Sequence, residues 1–226
     1  MGILVSSLII ITLQGHSMVN LLSHGHTWNY SPLHFSPFAY WYLIGSIPVA
    51  AIMSRIRGID IFSTGTGLAG AANVARSVGN WSGVAVFAGD TGKGILTIMV
   101  ANRLGAEGSM VLVPAAAALA GHWRSVFTKF RGGDGLSTLI GITVTALPAY
   151  GILVVVTGII VALIARRTGH SPTLWGGIAA YSFLLLHAPF SQGNVFIDFG
   201  VVCLALMVLI YGSAGHRRRR LESKMP

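Results

Sequence analysis

The stretch WSGVAVFAGDTGKGILTIMVANRL, from Trp81 to Leu104, decides the fold class. A helix that crosses the hydrocarbon core of a bilayer needs about 20 mainly apolar residues, and this run is long enough. Asp90 and Lys93 lie in its middle, three residues apart, where ionisable groups usually pair and face protein. The run therefore predicts a transmembrane helix with an internal ion pair. Two roles stay open for that pair: locking the helix to its neighbours, or taking part in a site.

The composition of the whole chain agrees with a membrane protein. Of its 226 residues, 53% are hydrophobic and only 9% are charged, whereas about 25% of an average soluble domain is charged. So few charged side chains cannot cover a protein of this size in water, and lipid is the expected surrounding. The single cysteine, Cys203, lies in another apolar run, which excludes a disulfide framework and a thiolate metal site.

Further apolar runs predict more spans, and the basic residues between them predict their orientation. The other long runs are Phe38–Ser54, Ser109–Phe127, Thr173–Phe190 and Val195–Tyr211. The basic clusters are Arg55/Arg57/Arg76, Arg124/Lys129/Arg131, Arg166/Arg167 and Arg217 to Arg220 with Lys224. Cytoplasmic loops of membrane proteins are enriched in Lys and Arg. We therefore interpret the net charge of +9 as a record of topology rather than as a nucleic-acid surface.

The stretch 137–165 must return the chain to the same face, because basic clusters flank it on both sides. It is shorter than the roughly 40 residues that two full spans need, so we expect two short helices that turn near Pro148–Gly151. The resulting all-α fold has seven crossings and a cytoplasmic carboxyl terminus. We divide the chain into an extension (1–37), a transmembrane domain (38–216) and a basic cytoplasmic tail (217–226).

The extension leaves two interpretations open, an eighth weak span or a loop. Its histidines are interpreted as solvated loop residues, because their spacing matches no known set of metal ligands. They are His16, His24, His26 and His34.

A first glycine-rich segment runs from Gly58 to Gly79, and its Gly65, Gly67 and Gly70 have the spacing of a dinucleotide-binding fingerprint. Such a fingerprint must follow a buried parallel strand, whereas an apolar span precedes this one. Glycines before a helix start still suit a phosphate, because they let backbone N–H groups approach an anion. We predict a phosphate cradle with Asn73 and Arg76 pointing towards it; a flexible turn between helices is the alternative.

A second glycine-rich turn, Gly132-Gly133-x-Gly135, follows Arg131 in the segment AGHWRSVFTKFRGGDGLST from Ala120 to Thr138. Two glycine turns flanked by arginines on one membrane face predict a site for a phosphorylated ligand.

His122 lies at a span end, either as a packed residue or as a catalytic one. An HxxxxD acyltransferase motif is excluded, because the fifth residue after His122 is Phe127. A Walker A loop is excluded as well, because Gly94 follows Lys93.

In order and spacing, these segments resemble the acyl-phosphate:glycerol-3-phosphate acyltransferase family (PlsY). The family's GSIP occurs here at 45–48, and its R-x-x-G-x-D is RIRGID at 55–60. Its GSGNxGATNVxR is GTGLAGAANVAR at 65–76, and its D-x-x-KG is DTGKG at 90–94. The family's LGHxxPVFxxFKGGKGVAT is AGHWRSVFTKFRGGDGLST at 120–138.

The resemblance implies a bacterial inner-membrane enzyme with seven helices that acts as a monomer among membrane lipids, without nucleic acid, metal or cofactor. The implied reaction transfers a fatty acyl chain from acyl phosphate to sn-glycerol 3-phosphate, giving lysophosphatidic acid. The implied catalytic residues are Thr66, Arg76 and His122. The implied substrate-binding residues are Gly65, Gly67, Gly70, Asn73, Lys93, Arg131, Gly132, Gly133 and Gly135.

Several positions depart from the family pattern. Leu68 replaces an asparagine, Ala72 a threonine, Ser125 a proline, and Asp134 the second lysine of GGKG. The family's carboxyl-terminal H-x-x-N-I-x-R is absent, with Gly215 near the asparagine position. A carboxylate at a position that contacts substrate in the family is expected to weaken binding of anions.

These departures keep other classes of function open. One is a non-catalytic paralogue that binds phosphate or phospholipid, and another is a small transporter. The arginine run 217–220 also has two interpretations, as a group that serves phosphate or as an anchor on anionic lipid.

Overall fold

The structure, a computed structural model, describes residues 37–190 and 195–222. The expectations for the extension, including an eighth span and the four histidines, lie outside the described residues. The same holds for Lys224 and for the side chains of the arginine run.

Within the described residues every regular element is a helix, which confirms the predicted all-α class. The α-helices are α1 (Pro37–Ser46), α2 (Val49–Ile56), α3 (Ala71–Ser77), α4 (Asn80–Arg103), α5 (Leu112–Trp123), α6 (Leu136–Ala146), α7 (Gly151–Arg167), α8 (Pro172–His187) and α9 (Val195–Glu222). Short 3-10 turns occupy Gly108–Val111, Val126–Thr128 and Ala188–Phe190.

Within residues 37–190 and 195–222, four helical segments are long and apolar enough to cross a membrane. They are Phe38–Ile56, Asn80–Arg103, Gly108–Thr128 and Val195–Gly215. Helices α6, α7 and α8 have 11, 17 and 16 residues, respectively. The two helices expected within 137–165 are α6 and α7, joined by the turn 147–150. The expected span Thr173–Phe190 is α8 followed by a 3-10 turn, because the helix ends at His187.

The first long segment is broken between α1 and α2. Pro48 has no N–H, and the N–H of Val49 donates to Ile47 O (3.0 Å) instead of reaching back one turn to Gly45 O. The break therefore opens backbone carbonyls inside a membrane-spanning segment, where they need donors from elsewhere in the protein.

Glycines let the helices around this break approach closely. A Cβ on Gly45 of α1 would overlap the Ala118 carbonyl of α5, and a Cβ on Gly121 would overlap the Tyr42 carbonyl. Helices α4 and α6 cross in the same way, since a Cβ on Gly94 would overlap the Thr138 carbonyl. Small residues at crossings are typical of helix packing in membranes.

A polar contact fixes the end of the bundle at the α6–α7 turn. The Tyr150 hydroxyl donates to the Asp198 carboxylate near the start of α9, and the Tyr150 ring packs edge-on against the His187 ring at 4.9 Å. Asp198 is fully buried. This contact connects the short helices to the last long one.

Candidate active site

The two glycine-rich turns lie side by side. The N–H of Ala69 in the first turn donates to Gly132 O in the second (3.0 Å). The N–H of Gly133 donates to His122 O at the end of α5 (3.2 Å). The structure thus brings together the two segments from which the sequence predicted one site.

Asn73 of α3 organises the first turn. Its side chain is 3% exposed, and its Nδ2 donates to Thr64 O (3.0 Å) and Leu68 O (3.1 Å). Its Oδ1 accepts from the N–H of Thr66 (3.1 Å). Asn73 therefore points towards the turn, as predicted, but its amide is engaged by the protein itself.

The backbone N–H groups of the turn also have protein partners. That of Gly67 donates to Thr64 O (3.0 Å), and that of Gly70 donates to Leu68 O (2.9 Å). The N–H of Leu68 lies 3.5 Å from Thr66 Oγ1. An anion cradle needs donors without other partners, so the geometry gives this turn a structural role. Phosphate binding by Gly65, Gly67 and Gly70 stays a prediction.

A small cleft lies between the second turn and the α1–α2 break. Its lining residues are Gly45 to Ala50, Phe62, Ala69, Asp90, Lys93, His122, Ser125, Thr128, Arg131, Gly132 and Gly133. Five predicted site residues are among them. Thr66 is half-buried and Arg76 is exposed, and neither lines this cleft. Of the three predicted catalytic residues only His122 lines the cleft, and the catalytic roles of Thr66 and Arg76 stay predictions.

Lys93 joins three helical segments at the base of the cleft. Its Nζ lies 2.9 Å from Asp90 Oδ1, which confirms the predicted pair on α4. It also donates to Gly45 O (3.1 Å) and Ile47 O (2.9 Å), the carbonyls at the α1–α2 break. With Lys93 5% and Asp90 1% exposed, the pair clamps the helices and also lines the cleft.

His122 presents one ring nitrogen to the protein and the other to the cleft. Its Nδ1 is 3.2 Å from Lys93 Nζ and 3.3 Å from Thr138 Oγ1. Because a lysine ammonium cannot accept a hydrogen bond, this contact favours a lone pair on Nδ1 and the ring proton on Nε2. Nε2 is buried and has no hydrogen-bond partner among the described residues. The arrangement leaves one N–H donor of His122 available to a ligand.

Glycine at position 133 leaves space beside that buried donor. A Cβ on Gly133 would overlap both His122 Nε2 and the Ala69 carbonyl. A Cβ on the preceding Gly132 would overlap the His122 carbonyl. A side chain at either position would therefore overlap atoms of His122, so both positions require glycine.

Arg131 brings a positive charge to the mouth of the cleft. Its guanidinium lies 4.4 Å from the centre of the Phe62 ring, within the range of a cation–π contact. Lys129 and Phe130 before it have left-handed backbone angles (φ 54° and 60°). The turn is held by Thr128, whose hydroxyl donates to Arg131 O.

Polar residues that were not predicted from the sequence include Ser125, which lines the cleft, and Thr138, which contacts His122. The Ser125 hydroxyl donates to Ser46 O (2.6 Å) and accepts from the N–H of Phe127 (3.3 Å). It thereby connects the end of α5 to the α1–α2 break, in place of the family's proline. In the sequence, the only signal for Ser125 and Thr138 was that both lie within the segment 120–138 that carries the family motif.

Asp134 lies beside the cleft and does not line it. Its Oδ1 accepts from the N–H of Leu136 at the start of α6 (3.1 Å), and its main-chain carbonyl accepts from Trp123 Nε1 (2.8 Å). The carboxylate therefore caps a helix, a contact that a lysine cannot make. Its predicted effect on anion binding stays a prediction. Gly135, also a predicted binding residue, directly follows Asp134 in this turn and has a positive backbone angle (φ 93°).

The fold and site define a class: an α-helical membrane protein with a cationic cleft and an available histidine N–H at its helix ends. Among the described residues, no group of three His, Cys, Asp or Glu side chains is arranged to hold a metal ion.

Comparisons with known proteins identify the family. The family model described as glycerol-3-phosphate acyltransferase matches residues 36–222. The glycerol-3-phosphate acyltransferase of Geobacter sulfurreducens is 33% identical over 181 residues, which cover 79% of this chain and 90% of that one. Glycerol-3-phosphate acyltransferase 2 of Dehalococcoides mccartyi is 39% identical over 75% of this chain and 77% of its own length. The chain belongs to the glycerol-3-phosphate acyltransferase family.

Solved structures show the same fold. The crystal structure of PlsY, an integral membrane glycerol 3-phosphate acyltransferase, in its glycerol 3-phosphate form matches with a TM-score of 0.67 at 24% identity. The match covers 84% of this chain and 92% of that one. The lysophosphatidic acid form matches with a TM-score of 0.64. The arrangement of helices is therefore that of an integral membrane protein.

Proposed function

We propose that this chain transfers a fatty acyl group from acyl phosphate to sn-glycerol 3-phosphate, giving lysophosphatidic acid and phosphate. Membership of the family supports the acceptor and the reaction class. The observation that carries the mechanism is the unpartnered N–H of His122 in a cleft where Lys93 is paired with Asp90 and Arg131 supplies the net positive charge. The relatives are named as enzymes, so the comparisons give no support to a non-catalytic paralogue.

The positive side chains hold the anionic groups of the two substrates. Arg131 is exposed at the mouth and free to turn towards a phosphate, whereas Lys93 is fixed at the base by its protein contacts. Arg131 therefore contacts the phosphate, and Lys93 acts mainly through its charge and through His122. In a partly buried cleft such charges attract an anion more strongly than they do in water.

His122 acts as a donor rather than as a base. Its Nδ1 already accepts from Lys93, so the N–H at Nε2 is the group that faces the substrate. It donates to the acyl carbonyl oxygen, on which negative charge develops as the substrate hydroxyl attacks. A fixed donor of this kind typically contributes about 10²–10³ to kcat.

The reaction needs no other catalytic group in this scheme. A bond forms between the 1-hydroxyl oxygen of glycerol 3-phosphate and the acyl carbon, and the bond from that carbon to the phosphate oxygen breaks. The departing phosphate takes the hydroxyl proton. Thr66 is assigned to holding the first turn and Arg76 to the approach of anions, because neither residue lines the cleft.

We also propose that the chain is a monomer that crosses the bacterial inner membrane seven times. The carboxyl terminus and the cleft then lie on the cytoplasmic face. Basic residues in the segments predicted to face the cytoplasm, Arg55, Arg76, Arg124 and Arg131, support the orientation. Single cysteines placed at exposed Ser213 and exposed Leu104 in a Cys203→Ser background test it. A reagent that does not cross the membrane is expected to label position 213 from the cytoplasmic side only, and position 104 from the other side.

The decisive experiment follows phosphate release from palmitoyl phosphate and glycerol 3-phosphate by the purified protein in detergent. His122→Gln keeps an N–H donor and is expected to retain part of the rate, whereas His122→Phe is expected to lose about 10²–10³ of kcat. His170, an exposed histidine, provides the matched control His170→Phe. Phosphate release no faster than the blank would refute the proposed reaction, and full activity of His122→Phe would refute the role of the histidine.

A further inference from the structure

Three departures from the family pattern meet at one place in the structure. A Cβ built on Gly215 of α9 would lie 3.0 Å from Leu68 Cδ1 and 3.3 Å from Leu68 Cδ2. A Cβ on Gly212, one turn earlier, would lie 3.4 Å from Asp134 Cβ. Leu68 lies in the first glycine turn and Asp134 in the second. The altered carboxyl-terminal segment therefore packs directly on the two altered turns.

The contact is part of a longer interface along α9. The Tyr211 ring stacks on Trp123 at 5.1 Å, and its hydroxyl donates to Trp123 O (3.4 Å). Trp123 in turn donates to the main-chain carbonyl of Asp134. Helix α9 thus contacts both glycine turns and the end of α5.

We propose that Leu68, Asp134, Gly212 and Gly215 form one matched unit, the helix seat, which fixes the glycine turns for binding of the acceptor substrate. The inference rests on the proposed function, which names that substrate. Leu68 and Asp134 are positioning residues: they touch α9 and act on the cleft through the turns that carry them.

The path from the seat to the cleft is short. Asp134 directly follows Gly133, which must leave room for His122 Nε2, and Gly132 receives the hydrogen bond from Ala69. A shift of residue 134 therefore moves both glycines relative to the histidine. A shift of Leu68 moves Ala69 and the same hydrogen bond.

For the substitution Asp134→Lys, the helix seat predicts the opposite change in substrate binding from the one that charge alone suggests. By charge, Asp134→Lys would strengthen binding of glycerol 3-phosphate. In the helix seat, the same change removes the acceptor for the N–H of Leu136 and places a longer side chain against Gly212. Asp134→Lys alone is therefore expected to weaken binding by about tenfold, while Asp134→Asn, which keeps the Oδ1 acceptor, stays within about twofold of the wild type.

A double-mutant cycle tests the other half of the seat. Gly215→Ala adds the Cβ that meets Leu68, and Leu68→Val removes the two terminal carbons that it would meet. Gly215→Ala is expected to weaken glycerol 3-phosphate binding by about fivefold or more, and the double variant to recover to within about twofold. The dissociation constant is obtained from the rise in the melting temperature of the protein in detergent as the concentration of glycerol 3-phosphate is increased. Gly92→Ala, at a helical glycine whose Cβ would meet nothing within 4 Å, is the control.

The outcomes separate this inference from the proposed function. Coupled changes in the dissociation constant support the helix seat even if the wild type releases no phosphate, a result that would refute the reaction alone. A change in melting temperature without a change in the dissociation constant would make the contact merely structural and overturn the inference. Tighter binding by Asp134→Lys alone would overturn it as well. If Gly215→Ala fails to fold, Gly212→Ala makes the milder insertion against Asp134 and is held to the same criterion.

Discussion

Replacing Lys93 by methionine is expected to destabilise the protein strongly, because several buried groups depend on its Nζ. Methionine keeps most of the length of the side chain but removes the charge and the donors. It leaves the Asp90 carboxylate, 1% exposed, without its cation. It also leaves the carbonyls of Gly45 and Ile47 without the donor that now lies at 3.1 and 2.9 Å.

The magnitude follows from the cost of an uncompensated buried charge. Breaking a buried ion pair by removing one partner costs about 3–5 kcal/mol. For a chain of this size, 1 kcal/mol corresponds to about 2–4 °C in the melting temperature. Lys93→Met is therefore expected to melt roughly 10 °C below the wild type. Asp90→Asn/Lys93→Met removes the charge as well as its partner, and about half of the loss is expected to return.

The assay is thermal unfolding of the purified variants in one detergent, read by loss of monodisperse protein. Arg103→Met is the matched control, since Arg103 is an exposed cation at the end of the same helix. A melting temperature of Lys93→Met close to that of this control would refute the reasoning. So would a double variant less stable than Lys93→Met, because the buried carboxylate would then not be the source of the loss.

Three other substitutions have definite expectations. Gly133→Ala inserts a Cβ against His122 Nε2 and is expected to lower kcat about 100-fold while the protein still folds, as checked by phosphate release and size-exclusion chromatography. Ser125→Ala removes the donor to Ser46 O and is expected to cost about 1–3 kcal/mol in thermal unfolding; an unchanged melting temperature would contradict that contact. Asn73→Asp keeps the side-chain shape but loses both Nδ2 donors, so a comparable loss of stability is expected, and wild-type stability would show that the first turn does not depend on them.

The sequence allowed much of the fold to be predicted because its signals were local. The apolar run around Asp90 and Lys93 predicted both a long helix and the pair within it, since a spacing of three residues determines which face each side chain occupies. The shortness of 137–165 predicted two short helices, because chain length limits what can cross. The two glycine turns were expected to meet, since the basic residues beside them indicated one membrane face.

The contacts that could not be predicted from the sequence join residues that are distant along the chain. Glycines at 65, 67 and 70 look the same whether the N–H groups of their turn await an anion or, as here, donate to Asn73 (from Thr66) and to carbonyls of the turn itself. The contact of Leu68 with Gly215 depends on how α9 packs, and neither residue type signals it. The departures from the family pattern were therefore interpreted one by one, although in the structure they are neighbours.

The break between α1 and α2 also bears on the order of synthesis. Gly45 leaves the ribosome well before Lys93, so the broken segment enters the membrane before the donor for its open carbonyl has been made. A carbonyl left without a partner in hydrocarbon costs several kcal/mol. Stable insertion of the first helical segment is therefore linked to the arrival of α4, and a chain truncated before residue 93 is expected to insert this segment less stably.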